Sequence, residues 1–498
     1  MTSLREHLPI LLVILPLFGA ILTAFLRSGT FAWAIALLVD LILPLLAFTL
    51  LLDVIAAGKP VSYHIGGWPP PWGIEYRIDA LNAFVLLIIT IIGAVTVPYA
   101  RKSVARELES HQHPWFYTMY LLCLTGLLGI VATGDAFNAF VFLEISSLAT
   151  YVLIALGRNR PSLVASYQYL IMGTIGATFY VIGVGLLYLV TGSLNFVDIA
   201  QRLGPIADQQ WPAVMAALSF LTVGICLKLA LFPLHGWLPN AYTCSPSFVT
   251  AFLAGTATKA AIYLLIRILY SVFGTAIAFE RLPVTEVLVV LSIAAMFLAS
   301  LTAVFEENAK RILAYSSIAQ IGYITLGIAL ANQAGLTGAI VHLFNHALIK
   351  TALFLALGAI LFRTGSVQMS HLAGIGRKMP LTLAAFVIAA LGLIGVPGTS
   401  GFISKWHLAL GSIEHGWWPL AFLIVASSLI SVVYIGRIVE VAYFREPGPE
   451  VAEARDPPAS MLIPILALAT ATIYFGVDVR LTSDVAASVA SSLLGGLK

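Results

Sequence analysis

Runs of about twenty mainly apolar residues follow one another from Leu8 almost to the end of the chain, and the polar connections between them leave no room for a sizeable soluble domain. A helix of that length matches the hydrocarbon thickness of a bilayer, where each segment must satisfy its own backbone polar groups. The composition agrees, since 60% of the 498 residues are hydrophobic and only 10% charged, against about a quarter in ordinary globular chains. The sequence therefore predicts an all-α polytopic membrane protein. The first run has only Arg5 as a basic residue ahead of it and no small-residue cleavage site behind it, so it reads as a retained span.

Fourteen spans are expected, near 8–26, 31–52, 79–100, 115–133, 135–156, 166–192, 213–240, 246–272, 284–305, 312–331, 335–362, 380–410, 417–444 and 459–477. The loops after odd-numbered spans hold Arg27, Arg101, Lys102, Arg106, Arg158, Arg160, Lys310, Arg311, Arg363, Arg377, Lys378, Arg445 and Arg455, 13 basic residues against 7 on the other side. Positive charge accumulates in cytoplasmic loops, so both termini, including Lys498, are expected outside a prokaryotic cytoplasmic membrane. Cys123, Cys226 and Cys244 form no CxxC pair and lie in or beside apolar runs, which argues against an iron–sulfur or zinc site. No cofactor and no nucleic-acid partner is expected, and the net charge of +3 carries no information about partners.

Charges inside the spans are the informative departure. A lysine or aspartate at the bilayer centre costs about 2.5–3.5 kcal/mol on insertion scales and by default marks a bundle interior or wet cavity. Glu144 stands in FNAFVFLEISSLATYVLIA, Lys228 in GICLKLALFPLHGWLPNAY and Lys259 in AFLAGTATKAAIYLLIRIL. His342, His346 and Lys350 share IVHLFNHALIKTALFLALG, and Lys405 follows the interruption in GLIGVPGTSGFISKWHLALG. The two histidines and Lys350 recur at i, i+4 and i+8, so they form one slowly drifting stripe on a helix face. Histidine titrates near neutrality and a desolvated lysine gives up its proton readily, which suits such a stripe to a proton relay. Glu144 is the natural counter-charge for Lys228; at about 4 Å and an effective dielectric of about 20 their attraction is on the order of 4 kcal/mol.

Pro233 frees backbone carbonyls at membrane depth just after Lys228, and Pro397 with its glycines interrupts the span carrying Lys405. Such breaks are tolerated where they are buried in protein or line a water-filled cavity. Two interrupted, lysine-bearing spans five apart suggest an internal duplication whose odd offset inverts the second copy, and matched broken helices point to an ion path. Plainer readings compete. Arg267, near a helix end, reads as snorkelling to the headgroups. Asp40 fits helix packing or lipid-facing protonation as well as function, and Pro397 alone would be a kink. A metal site at His342 and His346 lacks a third ligand.

The strings LKLALFPLHGWLPNAY, YSSIAQIGY, HLFNHALIKTALF and VPGTSGFISK resemble the antiporter-like membrane subunits shared by respiratory complex I, membrane-bound hydrogenases and Mrp-type multisubunit sodium/proton antiporters. The resemblance covers roughly residues 115 to 445 and is greatest to the D-type branch of the Mrp subunits. It implies two inverted five-helix repeats, about 115–272 and 284–444, each with a broken helix, flanked by helices in 1–114 and by a loop and helix in 445–498. It also implies that Glu144, Lys228, Lys259, His342, His346, Lys350 and Lys405 carry protons. The partners it implies are lipid and other integral membrane subunits, a larger antiporter-like one among them. Protons and Na+ or K+ are the implied cargo, and a proton-pumping arm of a redox complex is the alternative.

Overall fold

The apolar runs coil into helices whose ends are set by short polar caps, prolines and left-handed residues. In the computed structural model, residues 5–157, 160–448, 451 and 453–495 are described; Arg158 and Lys498, both used in the orientation argument, lie outside them. The first elements are α1 (Leu8–Ala24), α2 (Gly29–Ala57), a hairpin of β1 (Val61–His64) and β2 (Glu75–Ile78), and α3 (Ala80–Glu107). Then come α4 (His113–Ala132), α5 (Ala136–Ala155), α6 (Arg160–Thr191), the short α7 (Phe196–Ile206), α8 (Trp211–Leu229), α9 (Leu238–Cys244) and α10 (Ser247–Val272). The second half holds α11 (Val284–Phe305), α12 (Ala309–Ala329), α13 (Gln333–Thr364), α14 (Pro380–Ile394), α15 (Ser400–Glu414), α16 (Trp418–Phe444), α17 (Ala459–Val477) and α18 (Val485–Leu494).

Side-chain caps serve the orphan N–H groups at several starts. Asp79 and Asn82 cap α3 reciprocally, Asp135 accepts from Asn138 N–H at α5, Asn308 from Arg311 N–H at α12, and Asn332 from Gly335 N–H at α13. Among the described residues, twelve helices are long and apolar enough to cross a membrane, thirteen if the bent pair Met369–Lys378 and Pro380–Ile394 is one span. The expected number of fourteen therefore turns on two segments. Residues 8–26 form a 17-residue helix, and 380–410 form two 15-residue helices, α14 and α15.

Three features lie outside the sequence expectation. The connection between α2 and α3 pairs as an antiparallel hairpin in the register Val61↔Ile78 to His64↔Glu75, α7 lies between two spans, and α18 follows the last one. Lys310, counted above with the loop charges, is instead the second residue of α12 and is buried.

Depth in the bundle separates the helices. In α10 and α12, 94% of the most apolar stretch is buried, against 33% in α16 and α17, so α10, α12 and the neighbouring α13 form the centre. A local pattern occurs twice. Ala136 N–H donates to Leu194 O at 2.8 Å and Phe196 N–H to Gly134 O at 2.9 Å, tying the start of α5 to the end of α6. Ala309 N–H donates to Val367 O at 3.0 Å and Met369 N–H to Glu307 O at 2.8 Å, tying the start of α12 to the end of α13.

Candidate functional site

Lys228 sits in the last turn of α8, where Ala230 takes a left-handed conformation (φ +60) and ends the helix. The carbonyls freed by the break are not left bare. Leu231 N–H returns to Cys226 O, and the Trp237 indole N–H donates to Leu227 O at 3.0 Å. Residues 230–237 then lead into α9, so Pro233 lies in a true interruption of the span. The Lys228 ammonium donates to Ser147 Oγ at 2.7 Å and stands 3.7 Å from Glu144 Oε1. That separation is an ion pair without a hydrogen bond, and Glu144 Oε1 has no other partner among the described residues. Glu144 is 26% exposed on the α5 face that carries the exposed Val141 and Leu148, so the pair is reachable from the flank of the bundle.

Pro397 occupies the second interruption, between α14 and α15. Gly395 there has φ +89, and a Cβ on it would stand 2.9 Å from Lys405 Cδ, so both the backbone and the space call for glycine. Lys405 reaches back from α15 to donate to Leu393 O at 3.1 Å, Ile394 O at 2.8 Å and Ser428 Oγ at 2.9 Å. Its ammonium also lies 4.6 Å from the centre of the Tyr323 ring. In both breaks a lysine belongs with the C-terminal end of a half-helix, the negative pole of the helix dipole.

Between the breaks, Lys259 on α10 is fully buried; its Nζ lies 3.2 Å from His346 Nδ1 and donates to Ala254 O. The His346 and His342 rings face each other 6.2 Å apart with 14° between their planes. His342 Nδ1 lies 2.7 Å from Ser404 Oγ and its Nε2 2.9 Å from Gln320 Oε1. The Tyr323 ring stands 5.7 Å from His342. Lys350, also fully buried, turns toward α12 and donates to Leu313 O at 2.8 Å and to Ser316 Oγ.

The structure thus brings Glu144 to Lys228, Lys259 to His346, and His342, through Tyr323 and Ser404, to the neighbourhood of Lys405. Lys228 and Lys259 are not in contact. The space beside Lys228, lined also by Leu143, Tyr180, Gly224, Ile225 and, from the helix of Lys259, Ala261 and Leu264, has no room for a water. Ser147, Gln320, Tyr323, Ser404 and Ser428 were not singled out from the sequence as site residues. Ser147 lies three residues after Glu144 on the same helix face, and Gln320 and Tyr323 stand in YSSIAQIGY, which is the signal that finds them.

Two further expectations are corrected. Arg267 does not snorkel. It is buried and held by Asp79 at 2.8 Å, Asn82 Oδ1 at 2.9 Å, Ser271 Oγ at 3.1 Å and Tyr263 Oη at 3.3 Å. Asp40 does not face lipid. It is fully buried, accepts from Tyr120 O–H at 2.8 Å, and its other oxygen packs against Gly93.

The sequence pattern described as "NADH:quinone oxidoreductase/Mrp antiporter, TM" matches residues 133–431, which include Glu144, Lys228, Lys259, His342, His346, Lys350 and Lys405. The chain belongs to this antiporter family. Among its relatives in the family, the "NADH-quinone oxidoreductase subunit N" of Desulforudis audaxviator is 44% identical over 493 residues, 95% of this chain and 96% of that one. The D-type subunit of the Na(+)/H(+) antiporter of Alkalihalophilus pseudofirmus is 30% identical over 472 residues, 95% of this chain and 94% of that one. Two solved structures share the antiporter-family fold over 99% of this chain and 98% of theirs. One is a chain of the membrane-bound sulfane sulfur reductase, an archaeal respiratory complex, with TM-score 0.90 and 29% identity. The other is a chain of the Mrp complex from Dietzia sp. DQ12-45-1b, with TM-score 0.89 and 28% identity. The chain is therefore a membrane subunit of the antiporter-like type shared with complex I.

Proposed function

We propose that the chain moves protons across the membrane as the ion-translocating subunit of a multisubunit monovalent cation/proton antiporter, in the manner of the D-type Mrp subunits. The observation that carries this reading is the run of ionisable side chains at the bundle centre, Lys228, Lys259, His342, His346, Lys350 and Lys405, each no more than 8% exposed. Several buried cations with few carboxylates between them are costly for a scaffold to keep, whereas a relay needs groups whose charge is reversible. Protons reach Glu144 and Lys228, cross to Lys259, move through the His342, His346 and Lys350 stripe, and leave past Lys405. The dry space beside Lys228, walled on the far side by Ala261 and Leu264 of the helix that carries Lys259, is the natural gate. The Lys228 ammonium swings between Glu144 and Ser147, and hydration of that space completes the path. A membrane potential of 100 mV contributes about 2.3 kcal/mol per charge moved. The two inverted repeats, 115–272 and 284–444, are supported by the paired ties at the starts of α5 and α12. Lipid and other membrane subunits surround the chain, the exposed side of α5 being one such contact. Both termini lie outside a prokaryotic inner membrane on this reading.

A second reading makes the same relay the proton-pumping arm of a redox complex; the 44% identity to a quinone oxidoreductase subunit favours it. Cofactors would then sit on other subunits. Gentle affinity purification with mass spectrometry separates the two. Hydrophobic partners with a larger antiporter-like chain support the antiporter, while attached flavin, iron–sulfur or nickel proteins support the pump. The relay itself is tested by Glu144→Ala and Lys228→Ala. Both abolish transport while leaving membrane insertion intact, and normal transport in either variant removes the role assigned to it.

A further inference from the structure

Lys310 is a buried lysine that the relay above leaves unused. It is 3% exposed, and its Nζ donates to Ser245 O at 3.3 Å and Ser247 Oγ at 3.2 Å. Glu107, the last residue of α3, accepts from Ser247 N–H at 2.9 Å and Ser247 O–H at 3.2 Å, and from Ser103 O–H at 2.6 Å. One serine hydroxyl therefore lies against both the ammonium and the carboxylate, and the two charges are held near each other without a direct ion pair.

These groups border a cavity of about 690 Å³ whose other walls include Arg106, Cys244, Asn308 and Gln368. Its volume admits on the order of twenty waters at roughly 30 Å³ each. It opens between the two halves of the bundle, on the face where the basic loops gather, and none of its walls belongs to either helix break. The charged and titratable groups facing Lys310 there are Arg106, Glu107 and Cys244. Inward, the next buried amine is Lys350, anchored on Leu313 and Ser316 of the same helix as Lys310. Three to six residues separate those anchors from Lys310, roughly 5–9 Å along the axis; neither they nor Lys350 line the cavity, so the step inward from Lys310 runs over a short chain of waters.

We infer that this cavity is a separate water inlet to the proton path, in which Lys310 hands protons from cavity water to Lys350. A neutral Lys310 amine takes a proton from hydronium and releases it to the neutral amine of Lys350, so only N–H and O–H bonds form and break. Glu107, through Ser247, steadies the charged form. The inference rests on the proton-relay reading and adds a second water access, at Lys350, to a path that still requires Glu144, Lys228 and Lys259.

Cys244 is a built-in reporter, because it lines the cavity half-buried whereas Cys123 and Cys226 are buried. The test uses the whole complex in oriented membrane vesicles, with a membrane-impermeant cationic thiol reagent added to one face at a time. Cys244 is labelled from the face bearing the basic loops, labelling lowers proton flux, and Cys244→Ser removes the sensitivity. Lys310→Met lowers flux by about a hundredfold or more, the lower end of a lost proton-transfer group, and Lys310→His restores part of it. No labelling of Cys244, or labelling with undiminished flux, overturns the inlet, and neither result depends on a variant folding. Full flux in Lys310→Met overturns it too. Glu144→Ala measured alongside shows which idea has failed: if it alone loses flux the relay stands without this inlet, and if it also keeps full flux the relay fails.

Discussion

Lys405 shows what a buried lysine needs in a bundle: its ammonium has two carbonyls, a hydroxyl and an aromatic face around it and, among the described residues, no carboxylate. Its charge is therefore shared by dipoles that stay in place when the proton leaves. Arg267 is the opposite case, locked to Asp79 with three further polar partners, and this is the arrangement of a structural ion pair. Asp40 belongs with Arg267. Asp40→Asn keeps an acceptor for Tyr120 and leaves proton flux unchanged. Tyr120→Phe removes the one hydrogen-bond donor the carboxyl has among the described residues and costs about 1–3 kcal/mol, read as a lower unfolding temperature in detergent. A large loss of flux in Asp40→Asn would instead move this carboxyl into the path.

At the scale of elements, the two interrupted spans are where sequence and function meet. Gly395→Ala places a methyl group against Lys405 Cδ and strains a left-handed backbone, at about 1–3 kcal/mol. Its expected result is a protein that inserts but transports poorly because the ammonium leaves Leu393 O and Ile394 O; unaltered transport would show that this placement is not needed. Both breaks were legible in the sequence because proline and glycine act locally, and the stripe of His342, His346 and Lys350 was legible because helical spacing is fixed. What the spacing does not carry is direction. Nothing in the i, i+4, i+8 pattern says that His346 meets Lys259, that His342 meets Gln320 and Ser404, or that Lys350 turns away to α12. Lys310 was misread for a related reason. Beside Arg311 and at the edge of an apolar run it looks like a loop charge, and only the packing of α3 and α10 around it buries it. The hairpin before α3 escaped notice because its strands are only four residues each, too short for the alternation of β1 to stand out.

Over the whole molecule, the ionisable groups lie in two sets. Glu144 and Lys228 stand at one flank, the histidines and Lys405 reach toward the other, and Lys259, on one of the two most buried helices, is the member nearest to joining them. A scaffold would gain from an apolar residue at that position, since replacing a buried charge by a well-packed hydrophobe is often neutral or stabilising. A relay would be severed by it. The decisive measurement is therefore proton flux through the intact complex carrying Lys259→Met in sealed vesicles, with assembly checked on the same membranes. The expected result is an assembled complex with flux reduced by about a hundredfold or more, the lower end of a lost acid–base group. An assembled Lys259→Met complex that conducts protons at the original rate would contradict it.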